Sequence, residues 1–361
     1  MAKRIGVLTG GGDCPGLNAV LRAVIKTAIN KFNYEVIGFK DGYRGLVMND
    51  FIKFKESDAS GILDKGGTIL GTSNKHNPFH YRVERNKKVE YIDLSDRVVD
   101  NLNMHGIEYM VFIGGDGTLT SARDFSRKGV KAIGVPKTID NDLSGTDRTF
   151  GYMTAIDTAT EAIDKLHSTA ESHHRVMILE VMGRYAGWIA LESGIAGGAD
   201  VILIPEIPYD LEKVDKKIEE RRRQGKHFSI VVVAEGAKPK DGDMVVSKIV
   251  DDSPDAIRLG GIGEKLADDL EKIYGLETRV TVLGHLQRGG RPNPYDRVLA
   301  TRYGVKAVEL INKEEHGVMV CLKGCEIATV PLEDAVSKLK TVPTDGELIR
   351  ISKAIGLCFG D

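Results

Sequence analysis

The chain has almost no charge imbalance. Its 50 lysines and arginines against 52 aspartates and glutamates leave a formal net charge of −2. No overall field therefore recruits nucleic acid or an acidic membrane, and any bound anion must be held by local clusters. Long apolar runs are also missing. No segment approaches the roughly 20 residues of a membrane span, and the apolar run in MAKRIGVLTGGG is too short for a signal sequence and meets a glycine turn at once. The four cysteines, Cys14, Cys321, Cys325 and Cys358, form no CxxC, and their spacing suggests neither a zinc site nor a disulfide framework. A reducing cytoplasm is expected. Cys14 follows a glycine turn where a helix should start; it reads either as a small packing residue or as a thiol of lowered pKa. His76 and His80 have the spacing of a helical metal pair, but Pro78 interrupts the helix that would align them. Two nucleotide signatures are absent as well. There is no G-x-x-x-x-G-K-[ST], and with Gly10 and Gly12 in place the third glycine of a dinucleotide fingerprint would be residue 15, which is Pro15.

What is present is alternation. The 361 residues are enough for two domains, and 42% hydrophobic with 28% charged residues is ordinary for a globular chain. Short apolar runs occur at 5–8, 110–113, 132–135, 176–181, 201–204, 229–234 and 280–283, with helical periods between them, such as Leu17, Leu21, Val24, Ile25 and Ala28. This predicts an α/β fold of doubly wound, mostly parallel sheets, which bind ligands beyond the carboxyl ends of their strands. Polar, glycine-containing clusters stand at those ends: GGGD (10–13), GGDGT (114–118), PKTIDND (136–142), EVMGRYAG (180–187), AEG (234–236) and GHLQRGG (284–290). They read as one site spread over two sheets. No low-complexity linker separates the halves, so repeated crossing is expected. The charged stretch 74–97 reads as an irregular surface excursion near the site.

The glycine clusters suit phosphate. Gly10, Gly11 and Gly12, then Gly114, Gly115 and Gly117, let backbone approach a polyphosphate at a helix N-terminus. Thr118 can donate to a phosphate oxygen, and Asp116 can hold Mg²⁺, a hard cation that prefers oxygen ligands. In PKTIDND, an extended backbone would aim Asp140 and Asp142 the same way. One carboxylate would take a proton from an attacking hydroxyl, the other would lie near the metal, and Lys137 would offset charge on a transferring phosphoryl group. Arg175, Arg184, Arg279, Arg288 and His285 lie at or near strand ends and suit an acceptor phosphate. The run 221–223 sits in interleaved charge and reads as a solvated helix face.

GGGDCPGLN, GGDGT, PKTIDND, EVMGRYAGW and LGHLQRGGRPNPYDR together resemble the phosphofructokinases that phosphorylate fructose 6-phosphate at its 1-hydroxyl. The resemblance spans the chain apart from 74–97. It implies two Rossmann-like domains with the site in the cleft between them: 1–151 plus 287–338, larger and nucleotide-binding, and 152–286 plus 339–361, smaller and sugar-phosphate-binding. It implies Asp140 as general base, Asp116 and Asp142 serving the Mg²⁺–phosphate region, and Gly11 and Thr138 on the transferring phosphoryl group. Met182, Gly183, Arg184 and Glu235 would hold the sugar. His285 and Arg288, with Arg175 and Arg279 of a neighbouring subunit, would hold the 6-phosphate, so a homo-oligomer, commonly a tetramer, is expected. Tyr43, Gly115, Gly117 and Thr118 fall on the nucleotide side.

The family divides by donor. Pyrophosphate users generally carry aspartate where Gly117 stands and lysine where Lys137 stands; this mixed pattern resembles an ATP-dependent subgroup. Asn74 departs from the usual arginine, with Lys75 or Arg82 as substitutes. Of the effector positions of ADP-activated members, Arg22 matches, Lys26 and His167 replace arginine, and Asp200 replaces glutamate, which leaves ADP activation open. Competing readings are a pyrophosphate-dependent enzyme, a kinase of NAD or a lipid, and a silent sugar-phosphate-binding subunit. The last has no use for a general base.

Overall fold

The computed structural model describes residues 2–85, 88–249 and 257–361. Its first eight strands are β1 (Arg4–Thr9), β2 (Glu35–Phe39), β3 (Phe51–Phe54), β4 (Tyr81–Arg85), β5 (Lys88–Ile92), β6 (Tyr109–Gly114), β7 (Lys131–Pro136) and β8 (Val176–Val181). The rest are β9 (Val201–Leu203), β10 (Ser229–Ala234), β11 (Val246–Ile249), β12 (Ile257–Leu259), β13 (Thr278–Val282), β14 (Val318–Lys323) and β15 (Glu326–Pro331). Seven of them form one sheet in the order β15-β14-β7-β6-β1-β2-β3, parallel except for β3 and β15 at its edges. A second sheet, β13-β8-β10-β9, is wholly parallel. Every residue of β6, β8 and β10 is buried, as expected where helices cover both faces of a parallel sheet.

One continuous apolar core spans both sheets, from Ile5 and Val111 in the first to Leu179 and Ile230 in the second. The 22-residue helix Tyr152–His173 leads from one to the other. Helices Leu17–Lys26 and Pro294–Asn312 pack closely on the first sheet because residue 304 has no side chain: a Cβ on Gly304 would lie 2.7 Å from Ala23 Cβ and 2.8 Å from Val20 O. The chain visits the second sheet, returns for β14 and β15, and leaves again, so that Cys358 bridges β9. No helix among the described residues is long and apolar enough to cross a membrane.

Two expectations change. The stretch 74–97 is not irregular: β4 and β5 make an antiparallel hairpin, and a helix begins at Ser95. Residues 86 and 87 lie outside the described residues. His80 stacks on Tyr91, with centroids 4.2 Å apart, while His76 Nδ1 pairs with Ser73 Oγ at 2.6 Å. Cys14 lies before the helix rather than at its start, fully buried. That burial pushes its thiol up to about 12, so it is a packing residue and not an activated thiol.

Candidate active site

A cavity of about 660 Å³ opens between the carboxyl ends of the two sheets. On the first sheet its wall starts with the turn after β1. Gly10 N donates to Ile113 O at 2.9 Å, tying this turn to β6. Gly11 adopts φ 77°, its N–H donates to Ser73 O at 3.2 Å and its carbonyl accepts from Thr72 Oγ1 at 2.6 Å. Gly11 thus contributes space rather than a free amide. The two glycine turns interlock, since a Cβ at Gly10 or Gly114 would lie 2.7 or 2.5 Å from Thr118 Oγ1. Gly115 caps the helix Asp116–Arg127, whose first N–H groups and dipole face the cavity end and favour anions. Tyr43 is buried beneath, its hydroxyl donating to Thr118 O at 2.7 Å.

The loop after β7 supplies the acid–base groups. Asp140 Oδ2 accepts from Thr138 Oγ1 at 3.3 Å, and Asp140 N donates to the same hydroxyl oxygen at 3.0 Å. Asp140 Oδ1 is buried with no hydrogen-bond partner among the described residues. A desolvated carboxylate oxygen of this kind is costly unless something binds it. The loop is not extended: Asn141 adopts φ 52°, and its Oδ1 accepts from Thr149 N at 3.1 Å. Asp140 and Asp142 nevertheless line one cavity, because a left-handed residue between them replaces the alternation that a strand would give. Lys137, also buried, donates to Gly12 O.

The electrostatics follow from crowding. Burial, then the Asp140 charge, pushes Asp142 up to about 7. The same two causes push Glu235 up to about 7. Burial raises Asp116 against the opposing pull of Arg184 and Arg123. Burial lowers Lys137, with Cys14 and Asp140 opposing it and Arg288 adding to it. The cleft therefore concentrates carboxylates that would welcome a cation and a polyol, beside glycine turns that would welcome phosphate.

The second sheet completes the wall. Met182 and Arg184 follow β8, Glu235 follows β10, and His285 and Arg288 follow β13; all line the cavity. Glu235 Oε1 accepts from Arg184 N at 2.9 Å and shapes that loop. Gly183, at φ 142°, is packed on Ala186 O instead of facing the cavity. Asn74 lines the cavity, whereas Lys75 and Arg82 are outside its lining. Arg175 and Arg279 are also outside it. They lie at the amino ends of β8 and β13, opposite the carboxyl-end site, and share Glu277 Oε1 at 2.6 and 3.1 Å. Of the effector positions, Lys26 is paired with Glu56 and His167 Nε2 donates to Gly197 O at 2.7 Å. Asp200 binds Arg221 at 2.7 Å. Sequence reasoning did not assign Asp13, which stood in plain view within GGGD, nor Lys248 and Arg258 on the hairpin β11–β12; all three line the cavity.

Two interlocked glycine turns, an unpartnered carboxylate oxygen and a facing set of cations form a cleft suited to moving a phosphoryl group between two bound molecules. The chain belongs to the phosphofructokinase family: the family model described as Phosphofructokinase matches residues 4–311. It is 64% identical over 361 residues to ATP-dependent 6-phosphofructokinase 2 of Clostridium perfringens, covering 99% of each chain. It is 49% identical over 358 residues to a pyrophosphate–fructose 6-phosphate 1-phosphotransferase of Streptomyces coelicolor, covering 99% of this chain and 100% of that one. Among solved structures, phosphofructokinase from Saccharomyces cerevisiae superposes with a TM-score of 0.80 at 33% identity. That match covers 93% of this chain and 45% of the yeast chain, so this chain spans less than half the yeast protein's length.

Proposed function

We propose that the chain transfers the terminal phosphoryl group of ATP to the 1-hydroxyl of fructose 6-phosphate, giving fructose 1,6-bisphosphate and ADP. The observation that carries this reading is Asp140 Oδ1, buried and unpartnered in a cavity walled by glycine turns and an arginine–histidine set. Asp140 takes the proton of the sugar hydroxyl as its oxygen bonds to phosphorus. The bond to the bridging oxygen of ADP breaks, and ADP leaves with the electron pair. Lys137 and the Thr138 hydroxyl stabilise the equatorial oxygens, and Gly11 leaves them room. Arg184, His285 and Arg288 hold the sugar phosphate, and Glu235 fixes the Arg184 loop.

The oxygen-rich donor set suits Mg²⁺, which takes one or two carboxylates and fills its remaining positions with phosphate oxygens and water. Asp116 at the mouth, with Asp142 behind it, is where it would be held; when bound it neutralises the donor's charge. The division into a nucleotide lobe (1–151 plus 287–338) and a sugar-phosphate lobe (152–286 plus 339–361) is part of this proposal. So is a homotetramer in which Arg175 and Arg279 complete a neighbouring copy's site; their place at the amino ends of β8 and β13, outside this chain's own cavity, supports it. Four free cysteines accord with a cytoplasmic setting.

Pyrophosphate is the second reading, favoured by Lys137 and by the name of the Streptomyces relative. The test is kcat/KM with each donor at saturating fructose 6-phosphate, for the native chain and for Asp140→Asn. ATP should be the better donor, and the substitution should lower turnover on the order of 10²–10⁴-fold. A higher value with pyrophosphate overturns the donor assignment. Turnover of Asp140→Asn within a few-fold of native overturns the role of the base, and a native chain that is silent with both donors is a binding subunit.

A further inference from the structure

The segment 338–342, which carries no motif, runs along the loop that holds Asp140. Leu339 bridges Leu143 in antiparallel register. Lys340 N donates to Asp142 O at 2.7 Å, and Ser144 Oγ donates to Lys338 O at 2.8 Å. The Lys340 side chain then turns into the loop. Its ammonium donates to Asn141 Oδ1 at 3.0 Å, Thr146 O at 2.9 Å and Asp147 O at 3.0 Å. An ammonium has three donors; here all three go to acceptors of one loop, none of them a carboxylate. This is unlike a surface ion pair, and the half-buried position makes each bond matter more.

The same residue faces the second sheet. Trp188 Nε1 donates to Lys340 O at 2.9 Å, and the ammonium lies 5.5 Å from the Trp188 ring centroid. Trp188 directly follows the loop that carries Met182 and Arg184. Two residues on, Val342 N donates to Glu206 Oε1 at 2.8 Å, and that oxygen also accepts from Gly187 N at 3.0 Å. One short strap therefore grips the loop of the general base on one side and the end of the sugar-side loop on the other.

We propose that Lys340 is a positioning residue for the phosphoryl-transfer reaction. It touches neither substrate, but it holds the 140–147 loop in register with the 182–187 loop, so that Asp140 meets the hydroxyl presented from the other sheet. The inference rests on the reaction proposed above. A misplaced base should cost rate more than sugar-phosphate affinity, because His285 and Arg288 stand on another loop and Arg184 N is held by Glu235 rather than by the strap.

The experiment compares native chain, Lys340→Met and Lys340→Arg by steady-state kinetics and by amide hydrogen exchange. Lys340→Met should lower kcat on the order of 10–100-fold, the scale of a small misplacement, with KM for fructose 6-phosphate within about threefold. Exchange across 138–149 should rise roughly tenfold while the core strands β6 and β10 stay protected, as for a local opening. Lys340→Arg, which keeps the charge but cannot place three donors at one point, should fall between the two. A kcat within twofold of native, a loss carried by KM for fructose 6-phosphate, or unaltered exchange overturns the proposal. If Lys340→Met does not fold, Lys340→Arg and Trp188→Phe decide by the same criteria. If the native chain is silent with both donors, the reaction reading falls and the exchange comparison still decides whether the strap holds the loop.

Discussion

Asp142 shows how one buried residue links protein stability to pH. Its pKa is pushed up to about 7 by burial and by the neighbouring Asp140, against about 3.9 for an unfolded aspartate. A carboxyl that binds its proton more tightly when folded stabilises the fold fully below its unfolded pKa. That contribution is lost as pH rises through the folded value. Glu235, also raised to about 7, acts in the same direction. The substrate-free protein should therefore lose Tm between about pH 4 and pH 7 from these groups. Asp142→Asn removes one of them, so it should melt with a shallower pH slope and be more stable than native near pH 8. Thermal melts across that range check this; identical slopes for the two proteins would show that Asp142 ionises without strain.

The relevant element is the helix Asp116–Arg127, whose first turn carries the donor-side residues. Helix starts favour negative charge, both from bound phosphate and from side chains. Gly117→Asp sets these two preferences against each other. The new carboxylate should leave Tm unchanged or slightly raised, because it complements the dipole. It should lower kcat/KM for ATP by roughly tenfold or more, because like charges are brought together in the site. A fall in Tm with unchanged ATP kinetics would place residue 117 away from the donor. How much of the site could be read from the sequence also depends on elements. Buried parallel strands such as MVFI and VMILEV are bare apolar runs, and a polar cluster after each marks the carboxyl end. Of the edge strands, β3 has one buried position and β15 none, so no hydrophobic period shows in them. The VMVCL run of β14 carries the buried-strand signal, but no polar cluster follows it to tie it to the site. The left-handed Asn141 is hidden inside a loop, and the part played by Lys340 depends on contacts nearly two hundred positions apart. Arg175 and Arg279 look like strand-end cations in sequence, but a linear pattern does not say which end of a strand faces the cleft.

For the whole molecule the question is whether one chain suffices. Arg175 and Arg279 sit together on a face remote from the chain's own cavity, so in the proposed assembly they serve a neighbour. Arg279→Ala should raise the KM for fructose 6-phosphate far more than that for ATP, with a loss of about 2–5 kcal/mol for an unpaired phosphate charge. Mixed with Asp140→Asn subunits under exchange, it should regain activity, because some hybrid sites then hold both intact residues. Verified hybrids without recovery would argue for sites complete within one chain. The winding of the chain has a consequence for its synthesis. β14 and β15 complete the first sheet only after all four strands of the second have been made, and Cys358 O accepts from Ile202 N at 2.9 Å to lie against β9. The first sheet therefore lacks a partner for the outer edge of β7 throughout the synthesis of the second sheet. A ribosome stalled between β13 and β14 would carry a nascent chain with all the strands of one sheet made and the other sheet still open at β7.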